Sequence, residues 1–451
     1  MPATDTAAPP LAWDIFCRVI DNYGDAGVCW RLACDLAGRG DGVRLWIDEH
    51  SALRWLSSAP ASLWDAPPPW QHQGVRILPW ALAESLAPGQ LATLAALAAL
   101  TPASPAQPAP RQVLIEAFGC EIPDAYLNAL AQLAGGQAGP ANAIGPRPWP
   151  LWLNLEYLSA EPYVERMHLL PSPVMFGPAA GQRKTFFYPG LTPRTGGLLR
   201  EPTLAQRRAR FDATAWRRAF LQAQPAAAQA SKPIDHATQA SWISLFAYEP
   251  ACLPQWLRAW AQAAQPVQLL AAAGRSQAWL RQCWQQLGWA GAQQATASTA
   301  STASTPSTQG ALTVHWLPFM PQAQFDELLW ACDLNIVRGE DSLVRALWAA
   351  RPFLWHIYPQ HDNAHHGKLQ AFMDWLQPPG HWRDALLQLN GMASANAPPQ
   401  PSPGSALQGA QQASWAHWQD CARTACSRLQ AQPDLATQLR AWAATGAQQP
   451  T

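Results

Sequence analysis

"WDIFCRVIDNYGDAGVCWRLACDLAGRGDGVRLWID", residues 13–48, is the stretch on which the fold turns. Residues 13–20 have the length and residue types of a buried strand, and "DNYGDAG" (21–27) is turn chemistry. "VCWRLACDLAGRG" (28–40) places Val28, Leu32, Cys34 and Leu36 at helical spacing and stops on glycine. "VRLWID" (43–48) reads as a second strand. Strand, helix and strand in one short span make a βαβ unit, whose two strands run parallel. "RQVLIEAFGC" (111–120) and "PWPLWLNLEYL" (148–158) read as later strands of the same sheet.

The second half of the chain repeats this grammar. Strands are predicted at 242–248, 267–274, 312–319, 334–337 and 352–358, and helices at 252–263, 277–288, 323–333, 342–350 and 363–376. Strands alternating with helices imply an α/β protein with parallel sheets covered on both faces. Two such halves imply two Rossmann-like domains facing across a cleft, with ligands bound at the carboxyl ends of the strands.

Five tracts rich in Pro, Ala, Ser, Thr and Gly interrupt the pattern, at 101–112, 134–150, 222–240, 291–310 and 395–412. They hold too little apolar area to offset the entropy of ordering, so loops or disorder are expected there. The resulting division is a first domain at 12–222, a linker at 223–240, a second domain at 241–394, a linker at 395–412, and a helical segment at 413–446 that packs back on the first domain.

Composition excludes several classes. The chain has 451 residues, enough for two cores, and its 30 basic and 30 acidic residues cancel. No global field therefore points to nucleic acid or an anionic membrane. The 25 tryptophans are scattered through helix-like segments, which fits core packing better than a stacking platform. Nine cysteines form no C-x-x-C pair; Cys17, Cys29, Cys34 and Cys332 lie in apolar segments, as reduced thiols of a cytoplasmic protein do. No secretory signal is visible at the N-terminus, and the apolar run at 91–100 is too short to span a bilayer.

Two charged loops fall at strand-to-helix junctions. "DNYGDAG" offers Asp21 and Asp25 around Gly24 and Gly27, and two aspartates in a tight loop can present adjacent carboxylates; an Asx-turn with an N-cap is the structural alternative. "VRGEDS" (337–342) offers Arg338 as a planar fork for phosphate and Ser342, at a helix start, for the same anion. There Asp341 is an acceptor for a sugar or base and Glu340 a group aimed into the cleft; an ion pair capping a helix is the alternative. His361 and His365 in "HIYPQHDNAHH" (356–366) are four apart, yet no cysteine is near and the acidic third ligand is generic, so no metal is expected. Tyr358 reads as a phosphate or ribose contact.

"WDIFCRVIDNYGDAGVCWRLACDLA", "LIEAFGCEIP", "WLNLEYLSAE", "FFYPGLTPRTGGLL", "ISLFAYE" and the run "LPFMPQAQFDELLWACDLNIVRGEDSLVRALWAARPFLWHIYPQ" together resemble the bacterial protein-arginine rhamnosyltransferases that modify translation elongation factor P. The resemblance runs in register from about residue 12 to 376. It implies a B-type (GT-B) glycosyltransferase fold and inverting transfer of rhamnose from dTDP-β-L-rhamnose to one arginine of elongation factor P. Asp25 is then the general base, with Asp21 and Glu340 the other catalytic carboxylates. Asn22, Tyr23 and Gly24, in the same "DNYGD" match, are then donor- or nucleotide-binding residues. The donor side takes Arg338, Gly339, Asp341 and Ser342, with Phe319, Gln322, Phe325, Tyr358 and Tyr188 as contacts to thymidine diphosphate. No cofactor or metal is implied. Ala26 and Leu191 stand where the family usually has a larger aliphatic and an aromatic; neither change removes a reacting group. Three other readings stay open: a GT-B transferase with another acceptor, an epimerase, and a non-catalytic partner of elongation factor P.

Overall fold

The computed structural model describes residues 10–20, 24–87, 90–91, 110–134, 148–224, 239–290, 305–360, 363–392 and 412–446. The chain divides into two compact units. One is Met1–Glu201 with Gln432–Thr451, and the other is Pro202–Ala431.

The first unit is built on β1 (Leu11–Cys17), β2 (Gly42–Ile47), β3 (Trp70–His72), β4 (Val75–Pro79), β5 (Arg111–Ala117), β6 (Leu151–Leu155), β7 (Pro171–Pro173) and β8 (Arg183–Phe187). They form one sheet in the order β3-β4-β2-β1-β5-β6-β8-β7. Its inner pairings are parallel, and β3 and β7 add antiparallel edges. Every residue of β1 is buried, because both faces of the sheet are covered. Trp13, Ile15 and Cys17 point to one core with Val43, Leu45, Val113 and Ile115. Phe16 points to the other, with Trp46, Leu114 and Tyr126.

Asp14 lies on that second face, directly across from Arg44 of β2. The Arg44 fork donates to both carboxylate oxygens at 2.6 and 2.5 Å, and Trp46 and Gln112 also donate to them. A charge pair so deeply buried persists because its hydrogen bonds are made inside the fold.

The second unit carries β9 (Ser241–Leu245), β10 (Val267–Ala271), β11 (Ser307–Gln309), β12 (Leu312–Trp316), β13 (Leu334–Arg338) and β14 (Phe353–His356). Their order is β11-β12-β10-β9-β13-β14, parallel except for β11. In both sheets the connections run outward in one direction and then reverse. The reversal falls between β1 and β5 in the first unit and between β9 and β13 in the second. At such a switch point the two adjacent loops leave the sheet on opposite faces and open a crevice at the strand ends.

The boundaries differ from the sequence reading in two places. The first unit ends at Glu201 rather than near 222. Helix Ala213–Gln222 belongs to the second unit: Arg217 donates to the Ala331 carbonyl and to Asp333 at 2.7 and 2.6 Å, and Trp216 and Phe220 pack on Trp242. The Pro/Ala-rich tract is thus an insertion between a helix and a strand of one unit, and composition does not separate that from a linker.

The C-terminal segment also divides instead of packing as one piece. Helix Gln412–Gln430 lies in the second unit, with Trp418 stacked on Trp382 at 5.1 Å. Helix Leu435–Thr445 lies in the first, where Leu435, Leu439 and Ala443 join the core and Arg440 faces Asp41 at 3.1 Å. The end of the Ala-Ser-Thr tract, expected to be loop, forms the edge strand β11. The remainder of that tract, at 291–304, lies outside the described residues, as do 101–109, 135–147, 225–238 and 393–411.

Buried tryptophans bear out the core reading: Trp13, Trp46, Trp242, Trp256, Trp260, Trp284, Trp355, Trp382 and Trp418 are among the most deeply enclosed side chains. All nine cysteines are free thiols, though Cys34 and Cys421 are only half-buried. Among the described residues no helix is long and apolar enough to cross a membrane.

Candidate active site

The chain leaves β1 at the switch point of the first sheet and enters helix Gly24–Gly38. The helix starts four residues before the sequence reading put it, so Asp25 stands in its first turn, where the helix dipole favours a negative charge. The carboxylate is almost fully enclosed, at 3% exposure. Oδ2 accepts the Ile20 amide at 2.9 Å, and Oδ1 accepts the Tyr157 hydroxyl at 3.3 Å. Tyr157 follows β6 and stacks on Phe118, which follows β5, with ring centroids 4.4 Å apart and planes 14° from parallel. Ends of three strands therefore meet at one carboxylate. Asp21, Asn22 and Tyr23 lie outside the described residues.

Next to this group, Glu156 accepts from Asn154 at 2.6 Å, and burial, then the nearby Glu116 carboxylate, raise its pKa. Tyr188 is buried; its amide donates to His168 Nδ1 at 3.1 Å. Burial, with Glu156 and Tyr163 adding to it, pushes the Tyr188 hydroxyl up to about 12. Tyr188 and Gly24 belong to the first unit, whereas Phe319, Gln322, Phe325, Arg338 and Tyr358 belong to the second.

In the second unit, β13 ends at Arg338 and helix Gly339–Ala349 begins at once. The helix was expected to open at Ser342. It opens three residues earlier because Gly339 takes a φ of +63°, which allows an immediate turn out of the strand. Ser342 instead turns back: its hydroxyl accepts the Arg338 amide at 3.1 Å and donates to the Arg338 carbonyl. The amides at the anion-favouring end of the helix are consequently those of Gly339, Glu340 and Asp341. Trp355 donates to the Gly339 carbonyl at 2.7 Å and holds the turn in place.

The Arg338 guanidinium lies over two aromatic rings, 4.5 Å from the Phe246 centroid and 4.9 Å from that of Tyr248. Phe325 meets Phe246 edge-on at 5.5 Å, and the half-exposed Tyr358 meets Tyr248 edge-on at 5.5 Å. Arg275 also lies over Tyr248, at 5.1 Å, and grips Glu249 through two hydrogen bonds of 2.8 and 2.7 Å. That grip keeps the Glu249 carboxyl below its ordinary pKa. Gly274, just before Arg275, has a φ of +92° and faces Phe319. Gln322 is buried at the start of helix Gln322–Ala331. Glu340 pairs with Lys368. His356 Nδ1 accepts the Tyr248 amide at 3.2 Å, so the ring proton sits on Nε2, and burial lowers its pKa to about 4.

Arg338, Gly339, Ser342, Phe325 and Tyr358 are thus assembled at the carboxyl end of one sheet. Phe246, Tyr248, Glu249, Arg275, His356 and Lys368 complete the group and were not singled out from the sequence. Their one signal was "FAYE" (246–249), in which the aromatics alternate just beyond a buried strand. His361 lies outside the described residues, and His365 Nδ1 accepts the Gln360 amide at 3.0 Å. Among the described residues no three His, Cys, Asp or Glu side chains converge in a way that would hold a metal ion.

Residues 13–444 match the family model described as Elongation-Factor P (EF-P) rhamnosyltransferase EarP. The protein-arginine rhamnosyltransferase of Pseudomonas putida is 43% identical over 435 residues, covering 95% of this chain and 97% of its own. That of Pseudomonas aeruginosa is 40% identical over 80% of this chain and 81% of its own. A solved structure described as "Structural basis for EarP-mediated arginine glycosylation of translation elongation factor EF-P" is 33% identical, covers 96% of this chain and 98% of its own, and superposes with a TM-score of 0.52.

Proposed function

Because the chain belongs to the EarP family of elongation factor P rhamnosyltransferases, we propose that it moves rhamnose from dTDP-β-L-rhamnose to an arginine of elongation factor P, with inversion at the sugar. The general activity, protein-arginine rhamnosyl transfer in a two-unit α/β chain of GT-B type, follows from the family. Donor, acceptor and residue roles are our reading. One observation carries them: the switch point of the first sheet holds an enclosed carboxylate, and that of the second holds a guanidinium backed by aromatic rings.

These are the two charges the reaction needs. An arginine side chain is protonated at neutral pH and is a poor nucleophile. Asp25 accepts hydrogen bonds from the acceptor guanidinium, fixes its plane and takes its proton as the bond from nitrogen to the sugar C1 forms. The bond from C1 to the diphosphate oxygen breaks in the same step, and negative charge grows on the leaving group. Arg338 and the amides of Gly339–Asp341 meet that charge, which gives the diphosphate its counter-charge without a metal. Ser342 shapes the loop, and Asp341 accepts from the sugar or base. Phe319, Gln322 and Phe325 receive the thymine, and Tyr358 the ribose or phosphate. Glu340, partnered by Lys368, faces the sugar or supports the acceptor. A translation factor as acceptor places the reaction in the cytoplasm.

The test is an intact-mass assay with the purified protein, unmodified elongation factor P and dTDP-β-L-rhamnose. Gain of one deoxyhexose on a single arginine is the expected result. Binding of dTDP-rhamnose with no gain would redirect the search to another acceptor, and absence of binding would overturn the donor assignment.

A further inference from the structure

We propose that Tyr157 is the positioning residue of the acceptor-side carboxylate. It holds Asp25 in the one plane from which a guanidinium can be gripped and deprotonated. The inference rests on the reading of Asp25 as the base and deepens it.

The geometry is specific. The Ile20 amide donates to Asp25 Oδ2 and the Tyr157 hydroxyl to Oδ1. Two such contacts fix both side-chain torsions and hence the carboxylate plane. A carboxylate oxygen can accept more than one hydrogen bond, so an oxygen held by the protein can also accept from a planar guanidinium. The backbone contact on Oδ2 is invariant to side-chain substitution. The contact on Oδ1 depends entirely on where the Tyr157 ring lies.

That ring is placed by Phe118. The stack at 4.4 Å and 14° holds one face of the phenol. Phe118 in turn sits at a φ of +58° just beyond β5, with its amide donating to the Leu155 carbonyl at 2.7 Å. The loops after β5 and β6 are thereby tied together, and the hydroxyl is delivered to the helix that follows β1. A tyrosine retained only for packing has no need to point its hydroxyl at the carboxylate. This residue, 37% exposed overall, combines a ring stack with a hydroxyl aimed at an enclosed acid. A phenol hydroxyl donating to a carboxylate stabilises the ionised form, so its removal makes the carboxylate easier to protonate.

Tyr157→Phe keeps the stack and deletes only the hydroxyl. With elongation factor P and dTDP-β-L-rhamnose, kcat is expected to fall roughly tenfold or more. Affinity for dTDP should be unchanged, and the acid limb of the kcat profile should move to higher pH. Phe118→Leu, which loosens the stack but leaves the hydroxyl, should lower kcat less and add little to Tyr157→Phe. Tyr157→Phe with wild-type kcat and an unmoved acid limb would overturn the proposal. Asp25→Asn, run alongside, separates the two levels: if it still turns over, the reading of the base has failed, whereas its inactivity beside a normal Tyr157→Phe would sink only the role of Tyr157.

Discussion

The guanidinium of Arg338 lies 4.5 Å from the centre of the Phe246 ring, at the carboxyl end of the second sheet. A cation so placed is stabilised by the ring's electron-rich face and is less solvated than one on an open surface, which makes it a stronger partner for an incoming dianion. Arg338→Ala should weaken dTDP binding about tenfold or more, as expected for loss of a charge-assisted fork. Arg338→Lys should recover only part of that, because an ammonium neither stacks as a plane nor binds two oxygens side by side. Calorimetry with dTDP measures both. Equal affinity for wild type and alanine variant would remove Arg338 from the donor site.

Asp25→Asn tests the opposite charge. The amide keeps the size of the side chain and can still accept the Ile20 amide, but it takes no proton. Turnover should be lost while dTDP affinity stays within about twofold, since the substitution adds no new contact on the donor side. Intact-mass kinetics and the same calorimetry give the two numbers. Loss of both would mean that Asp25 supports the fold.

Much of this was legible before the structure, for physical reasons that can be named. Buried parallel strands are near-continuous apolar runs, so β1, β5, β9 and β13 stand out in the chain, and the helices between them carry a 3.6-residue period. Charged loops after such strands mark ligand sites, and both Asp25 and "RGEDS" lie beside switch points. Helix starts were less legible: a glycine at positive φ moved one to Gly339, and turn-like residues at 24–27 proved to be the first helical turn. Three-residue edge strands such as β3, β7 and β11 carry too few side chains to show a period. The aromatic seat of Arg338 was hidden for a different reason. Phe246 and Tyr248 are distant in sequence from Arg338, and only the β9–β13 pairing joins them.

Two histidines give the second unit a pH signature. His315 and His356 are both buried, and burial lowers each pKa to about 4. The unfolded chain, with histidine near 6.5, therefore binds more protons than the native state between these values. Stability should be full above about pH 6.5 and decline as pH falls toward 4, each histidine adding up to about 1.4 kcal/mol per pH unit. His315 hydrogen-bonds Gln268 at 2.7 Å, so His315→Gln preserves a donor while removing the titration. Urea midpoints from pH 7.5 to 5, a range chosen to straddle the unfolded value near 6.5, should fall less steeply for that variant. Parallel curves would show that His315 keeps the same protonation on unfolding.

The buried pair between Asp326 and Arg345 makes a sharper prediction about stability. Both residues are 1% exposed, and the Arg345 fork donates to the two carboxylate oxygens at 2.8 and 2.7 Å, joining helix Gln322–Ala331 to helix Gly339–Ala349. Arg207 stands 3.9 Å from the same carboxylate. Removing one partner strands a charge away from water, which costs more than the pair itself contributes. Arg345→Met should therefore destabilise the second unit by about 3–5 kcal/mol. Asp326→Leu combined with Arg345→Met should cost far less, since neither side chain is then left charged in the core. Because these helices begin at Gln322 and Gly339, the single variant should also loosen dTDP binding while the double restores it. Denaturation and dTDP titration of wild type, both singles and the double form a complete cycle. A strictly additive cycle would show that the two residues act independently and that the pair does not tie the donor-side helices together.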